Sequence, residues 1–81
     1  MKKIPTINMK KTGERLTQLR EEHGYSVNYI RDAVGLQSTQ SVYKWERGEN
    51  LPTIDNAVIL AEIYGIPLDD LFVRDELKEA G

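Results

Sequence analysis

The 81-residue chain contains no cysteine and only one histidine. Without cysteine it forms no disulfide and no thiolate metal site, and a single imidazole does not make a zinc site by itself. A domain of this size buries limited apolar surface, so its stability must come from helix packing, with or without dimerisation. We therefore expect no metal and no cofactor, and a chain without cysteine is compatible with the cytoplasm.

Long apolar runs are also missing. No segment is long enough to span a bilayer, and the first residues, MKKIPTINMKK, lack the apolar core of a signal peptide. The sequence has no Ser/His/Asp set, glycine-rich phosphate loop or metal-ligand cluster. The adjacent acids Asp69 and Asp70 would point about 100° apart on a helix, which is typical of a helix start rather than of paired catalytic carboxylates. We expect no enzyme activity, no membrane partner and no small-molecule substrate.

Charge is unevenly distributed. The net charge of -2 argues against nucleic acid as a partner. However, residues 1–20 carry six basic side chains against one acid, whereas residues 49–81 carry eight acids against two basic side chains. Such a chain can present a basic face and an acidic rear when folded. Chance segregation of solubilising charges is the alternative.

Apolar periodicity and cap residues predict two helices in the first part of the chain. The first begins at about Lys10 or Thr12 and ends at His23, before a glycine. The second spans residues 27–34, after the N-cap candidate Ser26 and before another glycine. A short helix followed through a turn by a second one that is polar on its outer face is a helix-turn-helix candidate.

The stretch QSTQSVYKWERG, residues 37–48, predicts that second helix, the third of the chain. Val42 and Trp45 share one face, so we expect Trp45 in the core rather than as a stacking platform for bases. Ser38 or Thr39 would cap the start. The opposite face carries hydrogen-bond donors and positive charge at i, i+3, i+4 and i+7: Gln40, Tyr43, Lys44 and Arg47. Such a helix fits the DNA major groove; an ordinary amphipathic helix with a solvated face is the alternative.

Two further helices complete the predicted fold. The fourth follows the cap candidate Thr53 and is the most apolar, with a predicted core stripe of Ile54, Ala57, Val58, Ala61 and Ile63, widened by Leu60 and Tyr64. The fifth runs from Leu68 to about Val73. We predict one all-α domain over residues 9–73. A flexible arm, residues 1–8, precedes it, and a charged tail, residues 74–81, extends the last helix or frays.

The sequence resembles the Cro/repressor-type, or XRE, helix-turn-helix family. The resemblance covers residues 9–73 and is carried by the order and spacing of several segments: GERL at 13–16, LR at 19–20, GYS at 24–26, Ile30, GL at 35–36, VYKWERG at 42–48, LPT at 51–53 and LAEIYGIPLDDLF at 60–72. It implies a compact five-helix domain of the lambda-repressor type, with the third helix in the major groove and dimers on paired half-sites.

The sequence departs from the family pattern at two positions and in one turn. Val27 stands where the family commonly has a glutamine that contacts a phosphate. Arg31 stands where a small alanine is usual, so its stem must cover apolar surface while its guanidinium reaches solvent. The turn before the third helix is one residue longer, within residues 36–38, which could lift Gln37 towards DNA or only loosen the turn.

The resemblance and the helix face together give candidate site residues on double-stranded DNA. The residues expected to read bases are Gln37, Thr39, Gln40, Tyr43 and Lys44. The residues expected to contact phosphates are Lys10, Lys11, Arg15, Ser38 and Arg47. Arg20 and Glu46 occupy family positions where an ion pair recurs, and we expect them to join the first and third helices.

The leading hypothesis is a sequence-specific DNA-binding regulator, a repressor, in the cytoplasm at the nucleoid. It would act as a homodimer, with the dimer surface near the fourth and fifth helices through Leu68, Phe72 or Leu77. The alternative is a protein-interaction module on the same fold, such as an antitoxin or a small partner-binding regulator. Exposed aromatics or leucines along residues 64–77 would favour that alternative.

Overall fold

The computed structural model describes the backbone of residues 2–80 and the side chains of residues 6–75. Four α-helices form the body of the molecule, and a short 3-10 helix and a pair of strands complete it. In chain order the elements are β1 (Lys2–Ile7), α1 (Met9–Glu22), α2 (Val27–Val34), α3 (Gln40–Glu46), α4 (Ile54–Tyr64), the 3-10 helix Leu68–Leu71 and β2 (Arg74–Ala80). The second helix has the predicted bounds.

Local capping explains where α1 and α2 begin. The side chain of Asn8 accepts a hydrogen bond from the backbone N–H of Lys11 at 2.8 Å, so α1 starts earlier than the sequence predicted. The hydroxyl of Ser26 accepts from the backbone N–H of Tyr29 at 3.0 Å, which confirms the predicted cap of α2. Gly35 then ends α2 with φ 86°, a backbone conformation that favours glycine.

The predicted fifth α-helix is wrong, because the chain forms only the 3-10 helix Leu68–Leu71 there and is extended at Phe72. The physical reason is that the backbone of Val73 is hydrogen-bonded to the start of α1. The backbone N–H of Val73 donates to the hydroxyl of Thr12 at 2.9 Å, and its carbonyl accepts from the backbone N–H of Asn8 at 2.8 Å. These bonds replace the helical bonds that Val73 would need to continue a helix.

The predicted flexible arm and the predicted helical or frayed tail also need correction. Residues 2–7 and 74–80 form one antiparallel two-stranded sheet, whose register runs from Lys2 opposite Ala80 to Ile7 opposite Arg74. The register shifts between Ile4 and Thr6, around the proline that has no N–H to give to the ladder. The all-α prediction therefore becomes a mostly helical domain with a small sheet made from the two ends of the chain.

The core lies between the helices and includes one residue of the 3-10 helix: Leu16, Leu19, Ile30, Val42, Trp45, Ala57, Leu60, Tyr64 and Leu71. Two predicted core residues of α4 are exposed instead, Ile54 at 68% and Val58 at 52%. Because α4 is apolar on most sides, its sequence fits more than one buried stripe. Tertiary packing selects the one made of Ala57, Leu60, Ala61 and Tyr64. In the part of the chain that the structure describes, no helix has the length and hydropathy to cross a membrane.

Candidate nucleic-acid interface

A close backbone approach holds α3 against α1. A Cβ atom on Gly13 would lie 2.5 Å from the carbonyl oxygen of Glu46 and 2.8 Å from the backbone nitrogen of Gly48. A Cβ on Gly48 would lie 2.8 Å from the Cα of Lys10. The two helices therefore meet backbone to backbone through glycines, which places the end of α3 beside the start of α1.

The predicted ion pair between α1 and α3 is present. The Nε of Arg20 donates to Glu46 Oε2 at 2.8 Å and its Nη2 donates to Oε1 at 3.1 Å, while Thr17 donates a further bond to Oε1 at 3.2 Å. The third donor of Arg20, Nη1, bonds the carbonyl of Tyr25 at 3.1 Å. Both charged side chains are largely buried, with exposed fractions of 16% and 11%.

Electrostatics of this pair follow from its geometry. The hydrogen bond to Glu46 raises the pKa of the Arg20 guanidinium above its ordinary value, against the opposing effect of burial. A bidentate pair whose third guanidinium nitrogen is also hydrogen-bonded is directional, so it fixes the rotation of α3 about its own axis as well as its position. The inner face of α3 is then completed by Val42 and Trp45, both buried as predicted.

The outer face of α3 is a polar groove. Gln40, Tyr43, Lys44 and Arg47 line a surface concavity of about 400 Å³, which we call the reading groove. All four side chains are exposed. The groove offers an amide, a phenol, an ammonium and a guanidinium, a set that can donate hydrogen bonds to base edges or neutralise phosphates.

The other predicted base-reading and phosphate residues fall in three places. Gln37 and Ser38 are exposed in the turn before α3, and Thr39 is half-buried at its N-cap position without a side-chain cap bond. Lys10 and Lys11 are exposed at the start of α1, near the end of α3. Arg15 is separate from this group.

Arg15 lies on the side of α1 that faces away from α3. Its Nε donates to the backbone carbonyl of Asp70 in the 3-10 helix, and its side chain is half-buried. On α1, Gly13, Thr17 and Arg20 face α3, and a residue two positions after Gly13 points about 200° away. The structure therefore does not bring Arg15 together with the reading groove.

The departures in α2 have simple structural outcomes. Arg31 lies on the surface, where its Nε donates to the carboxylate of Asp32 at 2.9 Å, and about a third of its side chain is exposed. Val27 packs against the core as a half-buried residue. In the longer turn, Leu36 also packs against the core, which leaves Gln37 at the surface.

One charged residue at the groove was missed by the sequence analysis. Glu49 accepts a hydrogen bond from the Nε of Arg47, so a groove cation already has an acidic partner. The sequence does place the acidic Glu49 two residues after the basic Arg47, with Gly48 between them. That signal is weak, because the conformation of Gly48 decides whether the two side chains can meet.

Comparison with known proteins agrees with this geometry. Residues 16–71 match a family described as helix-turn-helix. A Pyrococcus furiosus protein named as an HTH-type transcriptional regulatory protein is 45% identical over 56 residues, which are 69% of this chain and 18% of that protein. The cryptic phage CTXphi transcriptional repressor RstR of Vibrio cholerae is 36% identical over 72 residues, covering 85% of this chain and 63% of the relative.

A solved structure has the same fold. The restriction-modification controller protein C.AhdI from Aeromonas hydrophila superposes with a TM-score of 0.70 and 31% identity, covering 79% of this chain and 96% of that one. The chain thus spans nearly all of that controller protein but less than a fifth of the length of its Pyrococcus relative.

Proposed function

The chain belongs to the helix-turn-helix family, and from that premise we propose that it is a transcription regulator, a repressor, that binds double-stranded DNA sequence-specifically. The observation that carries the proposal is the division of α3 into a locked inner face and an exposed groove of four donor or cationic side chains. A helix presented in this way can enter the major groove with its polar face towards the base edges.

We assign base reading to the outer face of α3 and to the turn before it: Gln37, Thr39, Gln40, Tyr43 and Lys44. Gln40 is the first candidate, because an amide can pair bidentately with adenine. Its place in the first turn of α3 supports this, since recognition helices contact bases mainly through their N-terminal residues.

We assign phosphate contact to residues at the edges of the groove: Lys10, Lys11, Ser38 and Arg47. The two lysines are exposed where α1 begins, beside the end of α3, so both edges of the reading helix carry donors or positive charge. Arg15 is the weakest member of the predicted phosphate set, because its guanidinium already bonds Asp70.

We further propose that the protein binds DNA as a homodimer on an inverted repeat, with one major groove per protomer about one helical turn apart. The surface predicted from the sequence needs revision. Leu68 and Phe72 pack against the core as half-buried residues, and the side chain of Leu77 lies outside the described residues. Ile54 and Val58, one turn apart on α4 and more than half exposed, form a better candidate surface.

The alternative, a protein-interaction module, gains no specific support. Exposed leucines or aromatics along residues 64–77 would have favoured it. Among the side chains described there, Tyr64 and Leu71 are buried, and Leu68 and Phe72 are half-buried against the core. The cytoplasm, at the nucleoid, is the location that a DNA-binding regulator would need.

Selection of binding sites from random duplex DNA tests the proposal. The expected result is a short inverted repeat whose half-sites are about one helical turn apart, bound with an affinity that falls steeply as salt is raised. Enrichment of no sequence, together with no salt-dependent gel shift at low salt, would contradict the proposed function. Sedimentation showing one protomer per selected site would contradict only the homodimer.

A further inference from the structure

Glu49 is held next to the reading groove by the way α3 ends. Gly48 has φ 75°, in the region that favours glycine. The backbone N–H of Glu49 then donates to the carbonyl of Lys44 at 2.9 Å, and the N–H of Gly48 donates to the carbonyl of Trp45 at 3.1 Å. These two bonds are the Schellman arrangement that satisfies the last carbonyls of a helix. The position of Glu49 relative to α3 is therefore set by the backbone.

The carboxylate of Glu49 forms an ion pair with Arg47, one of the cations that line the reading groove. The Nε of Arg47 donates to Glu49 Oε2, and the two side chains are 58% and 50% exposed. The hydrogen bond from Arg47, together with the positive charge of Lys44, lowers the pKa of Glu49 below its ordinary value. The carboxylate thus carries its charge at neutral pH, beside two of the four residues that line the groove.

An exposed ion pair of this kind contributes little to folding stability, because solvent screens it and ordering both side chains costs entropy. The pair matters instead for DNA binding. A DNA phosphate seeks the same guanidinium that the carboxylate holds, and phosphate contacts supply the sequence-independent part of DNA affinity. A duplex of any sequence must open the pair, or accept a carboxylate close to a phosphate, before Arg47 can contribute.

We propose that Glu49 is an internal competitor for the DNA phosphate at Arg47 and that it limits the affinity of this protein for DNA of any sequence. This inference rests on the proposed function. Base reading by Gln40 does not involve the pair, so the competition acts on the phosphate contribution alone. Glu49 thereby keeps sequence-independent binding weak, which makes occupancy of DNA depend more on base contacts.

The test uses the full chain and a duplex of random sequence at several salt concentrations. Glu49→Gln keeps the size of the side chain and removes its charge. Glu62→Gln is the matched control, since Glu62 is exposed on α4 and its loss changes the net charge equally. Glu49→Gln should bind about threefold tighter at low salt, and the slope of log affinity against log salt should steepen by up to about 0.9. Glu62→Gln should match the wild type, and urea unfolding should be the same for all three.

A second background identifies the mechanism. The Arg47→Gln variant has no guanidinium for Glu49 to pair with. Adding Glu49→Gln to it should therefore increase the affinity for the random duplex by less than the same substitution does in the wild type. If Glu49→Gln increases the affinity equally or more in the Arg47→Gln background, Glu49 only repels DNA, and the proposal is overturned. The proposal would also be overturned if Glu49→Gln bound the random duplex with wild-type affinity, or if Glu62→Gln gained as much affinity as Glu49→Gln. If the wild type binds no duplex even at low salt, the proposed function fails first and the inference fails with it.

Discussion

The two faces of α3 differ in almost every physical property, although they belong to one helix of seven residues. On the inner face, Val42 and Trp45 are 1% and 6% exposed, and the backbone touches Gly13 of α1. On the outer face, Tyr43 is 46% exposed, and none of the residues that line the reading groove belongs to the core. The inner face should therefore control folding and the outer face binding, so substitutions one residue apart should have different phenotypes.

The largest effect is expected at the inner aromatic. Trp45→Ala removes a large buried side chain and should lower the free energy of unfolding by about 4 kcal/mol, measured by urea denaturation. Tyr43→Ala is the matched control, because it removes an aromatic from the outer face of the same helix and should change stability by less than about 1 kcal/mol. Wild-type stability of Trp45→Ala with loss of DNA affinity would reverse the assignment of the two faces.

The next effect concerns the ion pair that fixes α3. Glu46→Ala leaves the guanidinium of Arg20 largely buried without its carboxylate and should cost about 3 kcal/mol in unfolding free energy. Adding Arg20→Met should recover part of that loss, because the stranded charge is then gone. If the single variant unfolds within about 0.5 kcal/mol of the wild type, the pair is only a surface contact.

A smaller change in stability is expected for Gly13→Ala, and whether it is a gain or a loss is informative. In an open helix position, alanine in place of glycine stabilises by about 1 kcal/mol. Here the new Cβ would meet the carbonyl oxygens of Glu46 and Trp45 at 2.5 and 2.7 Å, so Gly13→Ala should destabilise by about 2 kcal/mol instead. Thermal melting that shows a stabilised variant would mean that α1 and α3 do not meet at this backbone contact.

Features that depend on neighbouring residues were predictable from the sequence. The bounds of α2 follow from the cap residue Ser26 and from Gly35, which act within one turn of the helix that they delimit. The inner and outer faces of α3 follow from the period of an α-helix alone. The partner of Glu46 was predictable only through the family resemblance, since Arg20 lies 26 positions away.

Features that depend on distant contacts were not predictable. The strands at the two ends pair across the whole chain, with Lys2 opposite Ala80, and neither strand has an alternating apolar pattern. The end of the 3-10 helix depends in the same way on the bond from Val73 to Thr12, which lies 61 positions away. The exposure of Ile54 and Val58 was missed because an apolar helix does not reveal which side its neighbours will cover.

If the exposed face of α3 reads bases, Gln40→Ala should change which base pairs the protein prefers. The measurement is the affinity of the wild type and the variant for the selected operator and for each single base-pair change in one half-site. Gln40→Ala should lose its preference at one base pair per half-site and bind the best operator about 1–3 kcal/mol more weakly, with the salt slope and the melting temperature unchanged. If Gln40→Ala ranks every operator variant as the wild type does, Gln40 does not read bases, and the assignment of the groove is contradicted.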